Sequence, residues 1–308
     1  MAGTHGWKRW GLEERVSRRS LSPPFFLATH LALPFPGALI AAAFRPSPGA
    51  AARAASSTTS KAKATDRDLV TETDGAAEAA VRAVVTAAFP THAFIGEEDN
   101  AAAGGAPPVL TDAPTWIVDP LDGTTNFVHG WPVVSVSIAL VVRREPVVGV
   151  VFNPVTNEFF AATKGEGATR NGEPCAPSPV TDLSTALICT ELGVSRDPAV
   201  AAAVLGRVAA LTAATRSLRS GGCCSLGLCS VACGRLDVFY EIGFGGAWDV
   251  AAGALIVREA GGRVLDPAGG AWDMMGRRVL AGAPGVAAAA AAVLARAPCA
   301  EGEPQAAV

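Results

Sequence analysis

Three apolar, β-branched runs, residues 133–142, 147–152 and 158–162, follow one another with only four and five residues between them. A parallel crossover takes about a dozen residues or more. The runs therefore read as neighbouring antiparallel strands, with Asn153-Pro154 marking one turn. Trp116-Ile117-Val118 reads as a short buried strand ahead of them. Residues 76–89 read as a helix, with Ala80, Val81, Val84, Val85 and Ala88 on one face. Beyond residue 183 the texture alternates. Strands are expected at 186–188, 238–240, 263–265 and 279–281. Helices are expected at 199–214, 224–233, 250–260, where Gly261-Gly262 stops the helix, and 286–297. A layered α/β architecture with two sheets accommodates both halves. Half of the 308 residues are hydrophobic, ample for a sizeable core.

The first 65 residues differ from the rest. Lys8, Arg9, Arg15, Arg18 and Arg19 crowd the start, and no acid appears between Glu14 and Asp66. An apolar run over 25–44 is broken by Pro34 and Pro36, which does not suit a membrane span. Acid-poor, Arg- and Ser-containing termini look like organellar transit peptides; an extension without a targeting role reads equally well. The expectation is a cytoplasmic protein, or one imported into plastid or mitochondrion. Residues 1–60 are read as this extension, 61–297 as one catalytic domain and 298–308 as a fraying tail. A net charge of −3 gives no general basic surface, so no nucleic-acid partner is expected.

Seven cysteines thinly spread over the chain do not make a secreted disulfide framework. Cys223, Cys224, Cys229 and Cys233 cluster, but without the paired spacing or histidines of a zinc site, and read as small buried helix residues.

Three segments put acids where a core would not want them: Ile95-Gly96-Glu97-Glu98-Asp99, Trp116 through Asp119-Pro120-Leu121-Asp122-Gly123-Thr124-Thr125-Asn126, and Ala247-Trp248-Asp249-Val250. A buried carboxylate is costly unless paired or bound to metal. In the second segment a strand ends at Asp119, Pro120 forbids a helix there, and Asp122 follows three residues on, so both carboxylates can converge. Gly123-Thr124-Thr125 then opens a helical turn whose free N–H groups suit an anion. Hard oxygen ligands and phosphate-binding amides thus lie side by side, which suits magnesium. Asp249, at the start of the 250–260 helix, would complete the cage from far along the chain. A plain turn at Asp122-Gly123 and a helix cap at Asp249 are the ordinary alternatives.

Taken together, Asp119-Pro120-Leu121-Asp122-Gly123-Thr124-Thr125-Asn126-Phe127, Gly96-Glu97-Glu98 and Trp248-Asp249-Val250-Ala251-Ala252-Gly253 resemble the signatures of inositol monophosphatases, and Asp68-Leu69-Val70-Thr71-Glu72-Thr73-Asp74 resembles the segment preceding them. The resemblance runs over roughly residues 61–296. From Ser217-Leu218-Arg219 through Gly234-Arg235-Leu236-Asp237 it is especially similar to plant-type members, described as acting on inositol phosphates and L-galactose 1-phosphate.

The resemblance implies a five-layered α-β-α-β-α sandwich, a homodimer, two or three Mg2+ per active site, inhibition by lithium, and a small phosphorylated polyol or sugar as substrate. It implies metal ligands at Glu97, Asp119, the Leu121 carbonyl, Asp122 and Asp249. It implies that Thr124, supported by Asp74, orients the attacking water, with Glu98 in an outer shell and Lys63 near the metals. Asp122, Gly123, Thr124, Gly222, Cys223, Cys224, Glu241 and Asp249 would contact substrate. Cys223 stands where the family more often has serine or threonine. Glu241 lies eight residues before Asp249, one more than in the animal enzymes. Residues 37–44 would be what remains of the family's second N-terminal helix.

Rival readings are a sister phosphatase (histidinol phosphate, fructose bisphosphate or phosphoadenosine phosphate) and a catalytically inactive binding protein with the same fold. A calcium loop is disfavoured because Asp119-Pro120-Leu121-Asp122-Gly123 lacks alternating oxygen ligands. Of His5, His30, His92 and His129 only the last lies near a motif, and no Gly-x-Ser-x-Gly elbow is present, which disfavours a covalent triad.

Overall fold

The chain begins, among the described residues, with a helix at Pro34–Ala43 (α1), a two-stranded antiparallel ribbon of Ser60–Ala62 (β1) and Leu69–Thr71 (β2), and the helix Glu72–Ala88 (α2). A computed structural model describes residues 34–44, 60–62, 69–193, 195–297 and 299–306. Lys63 and most of the residues read as a leader lie outside them.

Next comes a seven-stranded sheet: Ala93–Gly96 (β3), Thr115–Asp122 (β4), Ser135–Val142 (β5), Glu145–Asn153 (β6), Glu158–Thr163 (β7), Ala168–Arg170 (β8) and Glu173–Pro174 (β9), paired in that order. The close-set runs are antiparallel neighbours, as their short connections require; only β3–β4 is parallel. Two short helices, Glu97–Ala102 (α3) and Thr124–His129 (α4), start where β3 and β4 end.

The second half alternates: Leu187–Thr190 (β10), Pro198–Ala214 (α5), Ser217–Arg219 (β11), Cys224–Ala232 (α6), Val238–Ile242 (β12), Ala247–Glu259 (α7), Arg263–Leu265 (β13), Arg278–Gly282 (β14) and Ala287–Leu294 (α8). Its five strands lie in the order β11-β10-β12-β14-β13.

Three apolar clusters separate five layers. Ile40, Val81 and Val85 of α1 and α2 pack on Trp116, Val118, Val136, Ile138 and Phe152. Leu228, Cys229 and Val231 of α6 and Val250, Ala251 and Ala254 of α7 fill the space between the sheets, against Ile117, Val141, Val151 and Phe239. Leu211 of α5 and Ala287, Ala290 and Leu294 of α8 cover Ile188, Val238 and Leu280 on the far side. The order is α-β-α-β-α. Successive strand residues serve opposite cores, Ile117 one way and Trp116 and Val118 the other, so the runs are apolar throughout. Close approach of α7 demands a missing side chain at Gly149, where a Cβ would lie 2.8 Å from the Ala252 carbonyl oxygen.

Three expectations change. β4 does not end at Asp119; it continues through Pro120 to Asp122. Asp119 pairs with Ser137 and Asp122 with Ser135, so β4 carries one residue more than β5 over that stretch, a β-bulge. Strand residues three apart normally face opposite ways; the extra residue puts both acids on one face. That face looks to the middle helices, for Ser137 Oγ donates to Trp248 O (3.0 Å) and Ser135 Oγ bonds Ser225 Oγ (2.7 Å). Second, α7 starts at Ala247, not 250, so Asp249 is its third residue, and Gly246 N–H donates to its carboxylate (3.3 Å).

Residues 299–306, third, are tied down. Arg207 pairs Nη1 and Nη2 with the Glu303 carboxylate, and the two residues are 2% and 6% exposed. Arg278 Nη1 donates to Pro304 O (2.9 Å). Two buried charges that must pair fix the terminal segment. At the other end, α1 places Ile40 and Phe44 in the first core, so the packed domain takes in residues N-terminal to 61.

Candidate active site

Each acid reaches the site from the end of an element or from the bulge of β4. Glu97 opens α3 directly after β3. That turn is fixed from α2: the buried carboxyl of Glu78 accepts the N–H groups of Glu98 and Asp99, both at 2.9 Å. Gly96 must be bare, since a Cβ would lie 2.4 Å from that carboxyl. Burial raises Glu78 from the ordinary range to about 7.

Asp119 and Asp122 lie on either side of the bulge. Asp119 is 2% exposed, and its Oδ1 accepts Leu121 N–H (2.9 Å). Asp122 Oδ2 accepts Ser225 N–H (2.7 Å), Ser225 Oγ–H (2.6 Å) and the Cys223 thiol (3.1 Å). The amide belongs to the first turn of α6, a favourable place for a negative charge. Gly123 then turns the chain at φ 89°, left-handed and suited to glycine, into α4. A Cβ there would also lie 2.8 Å from Val133 O. Thr124 Oγ donates towards Leu121 O (3.1 Å) and Asp74 Oδ1 (3.3 Å).

One cavity of about 620 Å³ is lined by Glu97, Asp119, Leu121, Asp122, Gly123, Thr124, Gly222, Cys223, Cys224, Glu241 and Asp249. All the proposed ligands and substrate contacts therefore meet. Asp74 joins through Thr124, while Glu98 lies outside the lining. Glu241 reaches the cavity despite its longer spacing from Asp249: it is near the end of β12, buried, with Oε2 lacking a hydrogen-bond partner among the described residues.

Burial, then the charges of Glu97, Asp122 and Asp249, hold Asp119 well above the usual carboxylate range. Asp249 is pushed up by burial and by Asp122 and Glu97. Burial raises Asp122 and Glu241 as well. These groups are acids crowded by acids.

Residues 36–298 match the sequence model of the inositol monophosphatase family. The chain belongs to that family. Inositol monophosphatase 2 of Solanum lycopersicum is 58% identical over 214 residues, 70% of this chain and 80% of the relative. Inositol monophosphatase 3 of the same plant is 55% identical over 214 residues, 70% and 79% respectively. Among solved structures, the inositol monophosphatase from Anabaena superposes with a TM-score of 0.72 at 30% identity, covering 89% of this chain and 96% of that one. The protein is accordingly a phosphatase that hydrolyses phosphomonoesters, and its family is generally metal-dependent.

The donor set of this inositol monophosphatase family member fits a hard cation: carboxylate and carbonyl oxygens, with no soft ligand required. Asp119 and Asp249 both border this cavity, and burial with neighbouring acids raises both. A cation bound among them would offset that crowding of negative charge. Among the described residues, no three His, Cys, Asp or Glu side chains already stand as a ligand set. The four clustered cysteines lie on or beside α6, all buried except the half-buried Cys233. No helix among the described residues is long and apolar enough to cross a membrane.

Sequence reading missed the supports of the phosphatase site. Glu78, Ser225, Glu191 and the side chain of Asn126 act across 20 to 103 residues of chain. Their only sequence signal is a polar residue inside an apolar stretch, as at Ser225 amid Cys224 and Leu226.

Proposed function

We propose that this chain hydrolyses inositol monophosphate and L-galactose 1-phosphate in a magnesium-dependent reaction, two or three ions per site, by direct attack of water. One observation carries the reading: acids from three distant segments line a single cavity beside the first turn of α4. Glu97, Asp119, Asp122, Asp249 and the Leu121 carbonyl would hold the ions. Bound magnesium offsets the acids' charge, polarises phosphate oxygens and acidifies a water.

The chain's own groups supply the rest. Thr124 donates its hydroxyl proton towards Asp74 and Leu121 O, which leaves a lone pair to accept a hydrogen bond from the attacking water and aim it. First-turn amides of a helix have no partner within it, and at Gly123 and Thr124 they face the charge of the phosphoryl oxygens. Glu241 Oε2, without a hydrogen-bond partner among the described residues, is an acceptor for a substrate hydroxyl. The Cys223 thiol is engaged with Asp122, so in this chain it supports a carboxylate rather than contacting substrate directly.

The test is phosphate release from inositol 1-phosphate, L-galactose 1-phosphate and histidinol phosphate, with magnesium, with chelator and with lithium. The first two should be cleaved with magnesium and spared with chelator or lithium. No release, or release indifferent to chelator, would end the reading. The homodimer is part of the same proposal and is checked by light scattering.

A further inference from the structure

Glu191 follows β10 at the carboxyl end of parallel strands, where α/β sheets open their crevices, and lines the catalytic cavity. Its carboxylate is engaged on both oxygens. Oε1 accepts Gly221 N–H (3.0 Å); Oε2 accepts Gly222 N–H (2.8 Å) and Ser220 Oγ–H (2.9 Å). Three donors on one carboxylate fix the 220–222 turn.

That turn touches both working parts of the site. Gly221 O and Gly222 O accept Asn126 Nδ2 at 2.8 and 3.2 Å, and Asn126 sits in α4. Gly222 has φ 73°, and a Cβ there would come within 2.9 Å of the Asn126 amide. The next residues, Cys223 and Ser225, hold Asp122 Oδ2. Glu191 is thus one turn removed from both the carboxylate and the amide cradle.

We propose that Glu191 is a positioning residue of the phosphatase: it clamps the 220–222 turn, which in turn sets the placement of Asp122 and of α4. This rests on the reading of Asp122 as a metal ligand and extends it. A glutamine at 191 has one acceptor oxygen and would turn N–H groups towards backbone N–H groups, so the turn would loosen without loss of side-chain volume.

A double-mutant cycle on the magnesium-loaded full chain decides it: wild type, E191Q, S225A and E191Q/S225A, with S220A as a milder probe. E191Q should lower kcat for inositol 1-phosphate about 10- to 100-fold, the scale of small misplacements, with KM moving less than about threefold. S220A should lower kcat about threefold. Acting through the same turn, E191Q and S225A should cost together at least about fivefold less than the product of their separate losses. Calorimetry should show weaker binding of inorganic phosphate to E191Q. A kcat for E191Q within about twofold of wild type, or losses that simply multiply, overturns the proposal. If E191Q does not fold, S220A stands for it: unchanged kcat and phosphate binding in S220A also overturn it. A wild type that releases no phosphate fails the functional reading instead, and the calorimetric comparison still judges Glu191.

Discussion

Asp122→Asn separates charge from shape at the centre of the site. Asp122 Oδ2 accepts three hydrogen bonds, from Ser225 N, Ser225 Oγ and Cys223 Sγ. The asparagine carbonyl oxygen can occupy the same place and keep all three, which leaves an NH2 group facing the cavity. The fold should persist while a hard anionic ligand becomes a donor. We expect kcat/KM to fall by about three decades, or about 4 kcal/mol of transition-state stabilisation. Stability in chelator should move the other way. Asp122 is one of the acids that raise Asp119 and Asp249. Taking one like charge out of a buried group of acids relieves repulsion on the order of 1 kcal/mol at an effective dielectric of about 20. For a domain of this size that is a rise of about 2–4 °C in Tm. Saturating magnesium should reverse the ranking, since wild type gains about 3 kcal/mol at a hundredfold excess over Kd and the variant gains little. Phosphate-release kinetics and paired thermal melts read both signs. Wild-type turnover in D122N, or a variant that melts below wild type in chelator, would refute the placement of this carboxylate among the acids.

Three further outcomes follow from the packing. Glu78, raised from 4.5 to about 7, favours the native state fully while protonated below its unfolded value, and this contribution is lost as pH rises through about 7. Its ionisation costs up to about 3 kcal/mol, so urea melts near pH 5 and pH 8 should show a smaller pH loss in E78Q than in wild type. Gly149→Ala forces a methyl to 2.8 Å from Ala252 O and should cost about 1–3 kcal/mol in the same melts, with magnesium affinity intact. Glu303→Ala strands Arg207, 2% exposed, without its counter-charge; a loss of about 3–5 kcal/mol is expected, and a Tm within 1 or 2 °C of wild type would show the terminal segment to be dispensable (about 2–4 °C per kcal/mol).

The strands of the first sheet were legible because two buried faces give them unbroken apolar stretches, as at 138–142, and because short links dictate their direction. The alternating second half was legible from helical periodicity and glycine stops. The acids themselves announced the site, since carboxylates following apolar runs have few other uses. What could not be read is whatever depends on a partner far along the chain. Pro120 looked like a strand terminator, yet a bulge lets it sit inside β4. Glu303 looked like tail until Arg207, 96 residues earlier, supplied a charge that must be answered. Glu78 and Ser225 carry no local pattern, because their meaning lies in amides and carboxylates of other elements.

The odd residue in β4 also sets a rule of register. Let β4 pair with β5 residue for residue from Asp119 and Ser137 onward, without the bulge, and Asp122 would face the opposite side of the sheet, among Val81, Val85 and Ile138. Every charge and every oily side chain would still be written in such a chain, and it would bind nothing. At this place the pairing of two strands, as much as the chemistry of the acids, makes the site.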